Sequence, residues 1–299
     1  MAFAFVLAAL AWPAEARAQA CCAGTGALTP GRLALHEDAL VGVQSRAASV
    51  VGSFDDGGHF TGSPRGVGEL DFEQDVFGAL RLLKRGQVAL LVPFVETRRR
   101  TPTDGAAFGG GVGDVNMSAR YDFSLAGVSR TLPGIALLGG VTLPTGTPVE
   151  SARRPLAVDS TGVGAFQGNF GVALEQTFGA WLVNVTALVA KRAGRSVQGV
   201  DETLGTQLVT IAGVAYSFTN DAALAAFASY SLEGDATING ADANGSGRRA
   251  LLVSAAGVWP IDDHWRIQGS IFANPPISSF GRNMPATTGF TYTLVRSWM

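Results

Sequence analysis

Four carboxylates stand at every second position, Glu69, Asp71, Glu73 and Asp75. That spacing puts all four on one face of an extended strand. A second polar series, Asp114, Asn116, Ser118, Arg120 and Asp122, repeats the spacing. Carboxylates in such rows can move protons, bind cations or wet a channel wall. Proton transfer needs a base or nucleophile beside them, and the three histidines, His36, His59 and His264, fall in a leader, a loop and a turn. No G-x-S-x-G elbow or H-E-x-x-H pair occurs. The reading is therefore non-enzymatic, with no catalytic residue. The two cysteines, Cys21 and Cys22, are adjacent and have no zinc-type spacing with histidine. Nothing calls for a metal or a cofactor, and the acidic stretches at 55–56 and 235–244 read as solvated loops.

What must be explained is one face of charge beside one face of grease. Opposite the carboxylates lie Leu70, Phe72, Val76, Leu80 and Leu82. Opposite the second series lie Val115, Met117, Ala119, Tyr121 and Phe123. An unpaired charge in a dry core loses several kcal/mol of hydration. A water-filled lumen removes that cost, and the greasy face then meets lipid. The predicted lumen-lining and selectivity residues are Arg46, Glu69, Asp71, Glu73, Asp75, Asp114, Asn116, Arg120, Asp122, Arg266 and Gln268. Asp114 has a structural alternative, as an acceptor for loop amides. The glycines at 109–113 are expected to turn the chain sharply into the next strand.

Period-two alternation recurs along the whole chain. It predicts strands at 38–54, 69–83, 87–101, 113–124, 134–145, 162–177, 181–194, 204–218, 222–234, 248–259, 264–275 and 287–298. The connections sort into two kinds. Tight turns fall at 84–86, 178–180, 219–221 and 261–263, with a longer one at 125–133. Long Gly/Ser/Asp/Pro-rich loops fall at 55–68, 102–112, 146–161, 195–203, 235–247 and 276–286. The prediction is an all-β, 12-stranded antiparallel transmembrane β-barrel over 38–299, with short periplasmic turns and long extracellular loops. With so few strands the lumen is narrow, and inward side chains can plug it, leaving a rim or lateral route.

The N-terminus supports export. Phe3–Trp12 is an apolar core of signal-peptide length, and Ala18-Gln19-Ala20 has the form of a cleavage site. Residues 1–20 read as a signal peptide and 21–37 as a periplasmic leader. The leading reading leaves the cysteines in that leader without a further role; the alternatives are acylation of Cys21, although Ala18-Gln19-Ala20 lacks the leucine of a lipobox, and a vicinal disulfide, which would be strained. A net charge of −2 leaves no basic excess for nucleic acid. Beyond the signal there is no apolar run long enough for a spanning helix.

Aromatics gather beside the short turns: Phe123, Phe178, Trp181, Phe218, Trp259, Trp265 and Trp298. An interfacial girdle sits at that height. The last strand alternates Phe290, Tyr292 and Leu294 up to Trp298, a pattern that barrel-assembly machinery reads. Gly111-Val112-Gly113-Asp114, Arg120-Tyr121-Asp122-Phe123 and the run 138–146, LGGVTLPTG, together resemble the family of transporters associated with the meta-pathway of phenol degradation. The resemblance covers about residues 109–146. It implies an outer-membrane barrel tied to uptake of small aromatic or hydrophobic compounds. The expectation is a channel in the bacterial outer membrane for passive passage of a small solute, with lipid and the assembly machinery as its other partners. The alternatives are a barrel hydrolase of lipid or peptide, or a structural or adhesive barrel.

Overall fold

A computed structural model describes residues 32–197, 199–218 and 222–299. The expected export signal, both cysteines, the start of the expected leader and the expected turn at 219–221 lie outside the described residues. Twelve strands form the wall: β1 (Ala39–Phe54), β2 (Gly68–Leu83), β3 (Gly86–Thr101), β4 (Val115–Ser124), β5 (Gly134–Leu143), β6 (Gln167–Phe178), β7 (Trp181–Arg192), β8 (Gln207–Ser217), β9 (Ala223–Glu233), β10 (Arg248–Pro260), β11 (Trp265–Ala273) and β12 (Met284–Trp298). Each pairs antiparallel with its neighbours in sequence. β12 returns to β1, with Ala39 opposite Trp298 and Phe54 opposite Met284, so the sheet closes. Closure leaves no wall edge with unpaired backbone groups, as hydrocarbon requires.

Alternation sets the two faces. On β7, Val183, Val185 and Val189 are exposed, while Leu182, Asn184 and Thr186 are buried. The exposed apolar set runs round the whole wall and includes Val41, Leu80, Leu90, Met117, Leu224 and Ile271. A patch of that extent on a water-soluble protein would drive aggregation. Hydrocarbon is its natural solvent. Near the short turns, Trp181, Tyr216 and Phe218 form successive edge-to-face contacts at 4.9 and 5.1 Å. Arg296 lies over the rings of Trp265 and Trp298 at 5.6 and 5.0 Å. A cation held between aromatic rings suits a membrane interface.

The long loops carry more structure than their composition suggests. Phe60–Gly62 adds to β1, and Gly281–Arg282 adds to β10. Four short strands, Arg195–Val197, Val200–Thr203, Ala236–Ile238 and Ala241–Ala243, make a separate small sheet. The expected loop at 102–112 is largely a strand, Gly105–Val112, paired to the upper half of β3. β4 pairs only with the lower half, from Gly86 opposite Tyr121 to Leu91 opposite Asn116. Pro93 marks the division, since proline has no N–H for a ladder.

The glycines at 109–113 therefore do not make the turn. That turn is at 101–105, where Gly105 has φ +73°. Instead they permit close approach. A Cβ on Gly110 would lie 2.2 Å from the Val95 carbonyl oxygen, one on Gly109 2.7 Å from Val158 Cγ2, and one on Gly113 2.9 Å from Pro93 Cγ.

Candidate functional site

The carboxylate row on β2 faces inward with Phe77 and Ala79, and each member has its own partner. Glu69 meets Arg99 of β3 at 3.0 Å. Asp71 accepts the Thr97 hydroxyl at 2.8 Å. Glu73 meets Arg46 of β1 at 3.2 Å, and Arg46 also lies over the Phe272 ring at 4.8 Å. Asp75 accepts from Gln44 Nε2 at 3.2 Å, and Gln44 Oε1 accepts from Thr293 at 3.2 Å. Gln268 is buried close by on β11, beside a Ser270–Thr291 hydroxyl pair at 2.6 Å. Two of the four carboxylates, Glu69 and Glu73, thus stand against guanidinium groups, Arg99 and Arg46, and the other two, Asp71 and Asp75, against neutral donors.

The second polar series divides. Asn116 bonds Thr142 across to β5 at 3.0 Å. Arg120 donates to Asp122 at 2.7 and 2.9 Å. Asp114 stands apart from them at the long-loop end. It accepts the backbone amides of Gly146 at 2.9 Å and Val163 at 2.7 Å, tying the 144–166 loop to the wall. Arg266 does not reach the β2 carboxylates; it pairs with Glu37.

The short-turn mouth is filled by residues 32–38, the described end of the expected leader. Arg32 makes a fork to Glu175 of β6, 2.6 Å at each oxygen. Glu175 is 4% exposed and also meets Arg120 at 3.2 Å. Leu33 is packed among Leu40, Phe77, Ala79 and Val295. Arg81 donates to the carbonyls of Ala34 at 2.6 Å and Glu37 at 2.9 Å. The segment is thus anchored to β2, β6 and β11 together.

Glu37 supplies a pH handle. Burial by itself would raise its pKa, but the Arg266 charge, the Arg266 hydrogen bond and the Ala34 amide outweigh that and hold it below the usual 4.5. Arg81 of β2 binds its carbonyl, and the Ser297 side chain of β12 also favours its charged form. A depressed folded pKa means this anchor is complete above pH 4.5 and is lost as pH falls through the folded value. Protease access to residues 32–38 is expected to rise on acidification below 4.5 and to stay flat in Glu37→Gln.

A segment of the 144–166 loop enters the long-loop mouth. Val158 is 0% exposed, seated on Gly109. Arg99 Nη1 donates to the carbonyls of Leu156 at 2.9 Å and Ala157 at 3.1 Å. Those two residues have φ of 57° and 49°, a left-handed conformation costly for side chains with a Cβ, which the Arg99 contacts help hold. Between these two segments lies a cavity of about 400 Å³, bounded by Asn116, Leu138, Asn169, Asn184, Thr186 and Ile211. Its wall mixes side-chain amides and aliphatic groups with Arg32 and Arg120.

No family model and no curated protein matches the sequence. Solved structures do match. An outer membrane channel from Pseudomonas putida F1 superposes with a TM-score of 0.72 at 14% identity, over 88% of this chain and 96% of that one. The chain has the fold of a bacterial outer-membrane β-barrel. Other barrels align less well: the translocator domain of the autotransporter NalP from Neisseria meningitidis at TM-score 0.47 and 10% identity, over 92% of each chain, and the CymD monoaromatic hydrocarbon channel at 0.40 and 8%, over 88% of this chain and 89% of that one.

Several residues that build this site escape a sequence reading. Arg99, Thr97 and Gln44 share parity with the predicted lining, and that shared parity was the available signal. Glu175 stands out as the one charge on β6, opposite Phe170, Val172 and Leu174. Nothing in the local pattern of 32–38 marks it as a segment that enters the barrel. The histidines stay apart: His59 sits 3.4 Å from Asp55 on an exposed loop, while the backbone amide of His264 caps Asp262 at the other end. Among the described residues, no group of three His, Cys, Asp or Glu is placed to hold a metal ion.

Proposed function

We propose that the protein resides in the outer membrane as a channel for passive passage of small solutes, gated at the short-turn mouth by residues 32–38. One observation carries this reading: a cavity of about 400 Å³ inside a closed transmembrane wall, with a tethered segment at each end. Downhill diffusion needs a path, a lining and a gate, and no cofactor. The mixed amide and aliphatic lining suits a small solute with an apolar body and one or two polar groups. This agrees with the aromatic or hydrophobic compounds that the sequence resemblance implies. β12 ends in the pattern that assembly machinery engages, and lipid covers the outer face. The test is liposome swelling with the purified protein. Solutes of this class are expected to enter faster than sugars of equal size, and folded protein that admits none of them would end the proposal.

Charge selectivity follows from the β2 row. Glu69 and Glu73 stand there beside Arg99 and Arg46, so removing either carboxylate leaves a guanidinium charge uncompensated and makes the path less favourable to cations. One wall charge about 5 Å from a passing ion in wet surroundings contributes roughly 0.8 kcal/mol, or about fourfold in local cation occupancy. Glu73→Gln is therefore expected to lower the cation-to-anion permeability ratio by about that factor, read as a reversal potential in a salt gradient. An unchanged potential removes Glu73 from the path.

A further inference from the structure

The upper half of β3 carries two arginines on the side that faces away from the lumen. Thr97 and Arg99 point inward, to Asp71 and Glu69. Arg98 and Arg100 are therefore on the outer face, in line with Val88, Leu90 and Phe94, and both are exposed. Among the described residues neither has an ion pair or a side-chain hydrogen bond. Arg98 lies between Leu70 on β2 and Phe108 on the Gly105–Val112 strand, both of them exposed. Arg154 reaches the Phe108 carbonyl from the neighbouring loop at 3.2 Å, adding a third cation at the same height. Glu96 is the one carboxylate on this face of upper β3, one step nearer the middle of the wall.

Height identifies what these cations meet. The outer face of β2, apolar except for Gln74, runs from Leu82 near the short turn to Leu70, the residue opposite Arg98. Twelve steps of about 3.4 Å, tilted by about 40°, cover roughly 30 Å along the barrel axis, slightly more than the ≈ 25 Å apolar band of an outer-membrane barrel. Arg98 and Arg100 therefore emerge where hydrocarbon gives way to the headgroups of the long-loop leaflet. Exposed guanidinium groups without a protein partner, beside Leu70 and Phe108, match a ligand that is anionic at its head and apolar below. A guanidinium fork fits a phosphate better than any other common lipid headgroup. We propose that Arg98 and Arg100, flanked by Arg154, form a docking surface for the phosphate groups of the outer-leaflet saccharolipid, the lipid A portion of lipopolysaccharide. Two forks about two residues apart on one strand engage one phosphorylated headgroup, and Phe108 and Leu70 lie against its acyl chains.

The test is native mass spectrometry of the full chain folded in detergent and titrated with bisphosphorylated lipid A, enzymatically dephosphorylated lipid A, or phosphatidylglycerol. The parent protein is expected to retain the bisphosphorylated lipid about tenfold more tightly than either of the others. Arg98→Gln with Arg100→Gln is expected to lose about tenfold for that lipid alone, and Arg98→Lys with Arg100→Lys, which keeps charge but not the fork, less than that. Arg85→Gln, in the turn at the opposite end, is expected to change nothing. Heat-modifiable gel mobility checks that each variant is folded. Equal retention of the dephosphorylated lipid overturns the proposal. So does equal retention of phosphatidylglycerol, which would mark a general anionic surface, or undiminished binding by folded double glutamine and lysine variants.

Discussion

Glu175→Gln is expected to raise the open fraction of the proposed channel about a hundredfold. Glu175 is the buried hub of the short-turn closure, taking both oxygens to Arg32 and one also to Arg120. Removing one partner of a buried, hydrogen-bonded ion pair costs about 3–5 kcal/mol, because the remaining charge is left without compensation. Here two guanidinium groups would lose their shared anion, and Arg32 can recover hydration only by leaving the barrel with its segment. Arg120 retains Asp122. A bias of about 3 kcal/mol toward the released state shifts a two-state equilibrium by about two orders of magnitude. Planar-bilayer recording should show long open dwell times in place of rare ones. Trypsin applied from the short-turn side should cleave after Arg32 in the variant and not in the parent. Cleavage without added current would mean that the segment moves but does not gate. An unchanged segment in folded protein would remove Glu175 as its anchor.

The second large effect tests which side of the wall is wet. Val185 and Thr186 are neighbours on β7; Val185 is exposed to the surroundings and Thr186 borders the internal cavity. Lysine at a lipid-facing midplane position costs about 2–4 kcal/mol, whereas the same charge on a lumen face is solvated. Val185→Lys is therefore expected to lower the unfolding free energy in lipid vesicles by about that amount, and Thr186→Lys by much less. Reversible urea unfolding followed by tryptophan fluorescence measures both. Equal costs at the two positions would mean that the inner face of β7 is as dry as the outer one.

Strand number, strand faces and the contrast between short and long connections were legible in the chain because a barrel wall imposes period two on every strand. Leu70 to Leu82 and Glu69 to Arg81 separate by parity whatever the neighbours are. The boundaries drifted where the signal is shared by two physical causes. Gly109 to Gly113 read as a turn because glycine relieves strain at positive φ. The same residue type is needed wherever a backbone approaches closely, and here it lets the Gly105–Val112 strand lie against β3 and Val158. The expected start of β6 at 162 came early for a related reason. Thr161 through Gly164 alternates weakly but is held in the loop by Asp114, which accepts the Val163 amide, and Arg195, which donates to the Val163 carbonyl.

Residue types and their spacing were enough to determine that charge lies on one side of each strand and grease on the other, since side-chain direction is a local property of extended backbone. They did not determine which charges meet. Glu175 and Arg32 are separated by 143 positions, and Arg266 and Glu37 by 229. Those pairs exist only because closing the sheet brings β6, β11 and the N-terminal segment around one mouth. The closed lumen is therefore a product of tertiary structure: a buried ion pair needs both partners removed from water in one place, and no local pattern along the chain can specify that place.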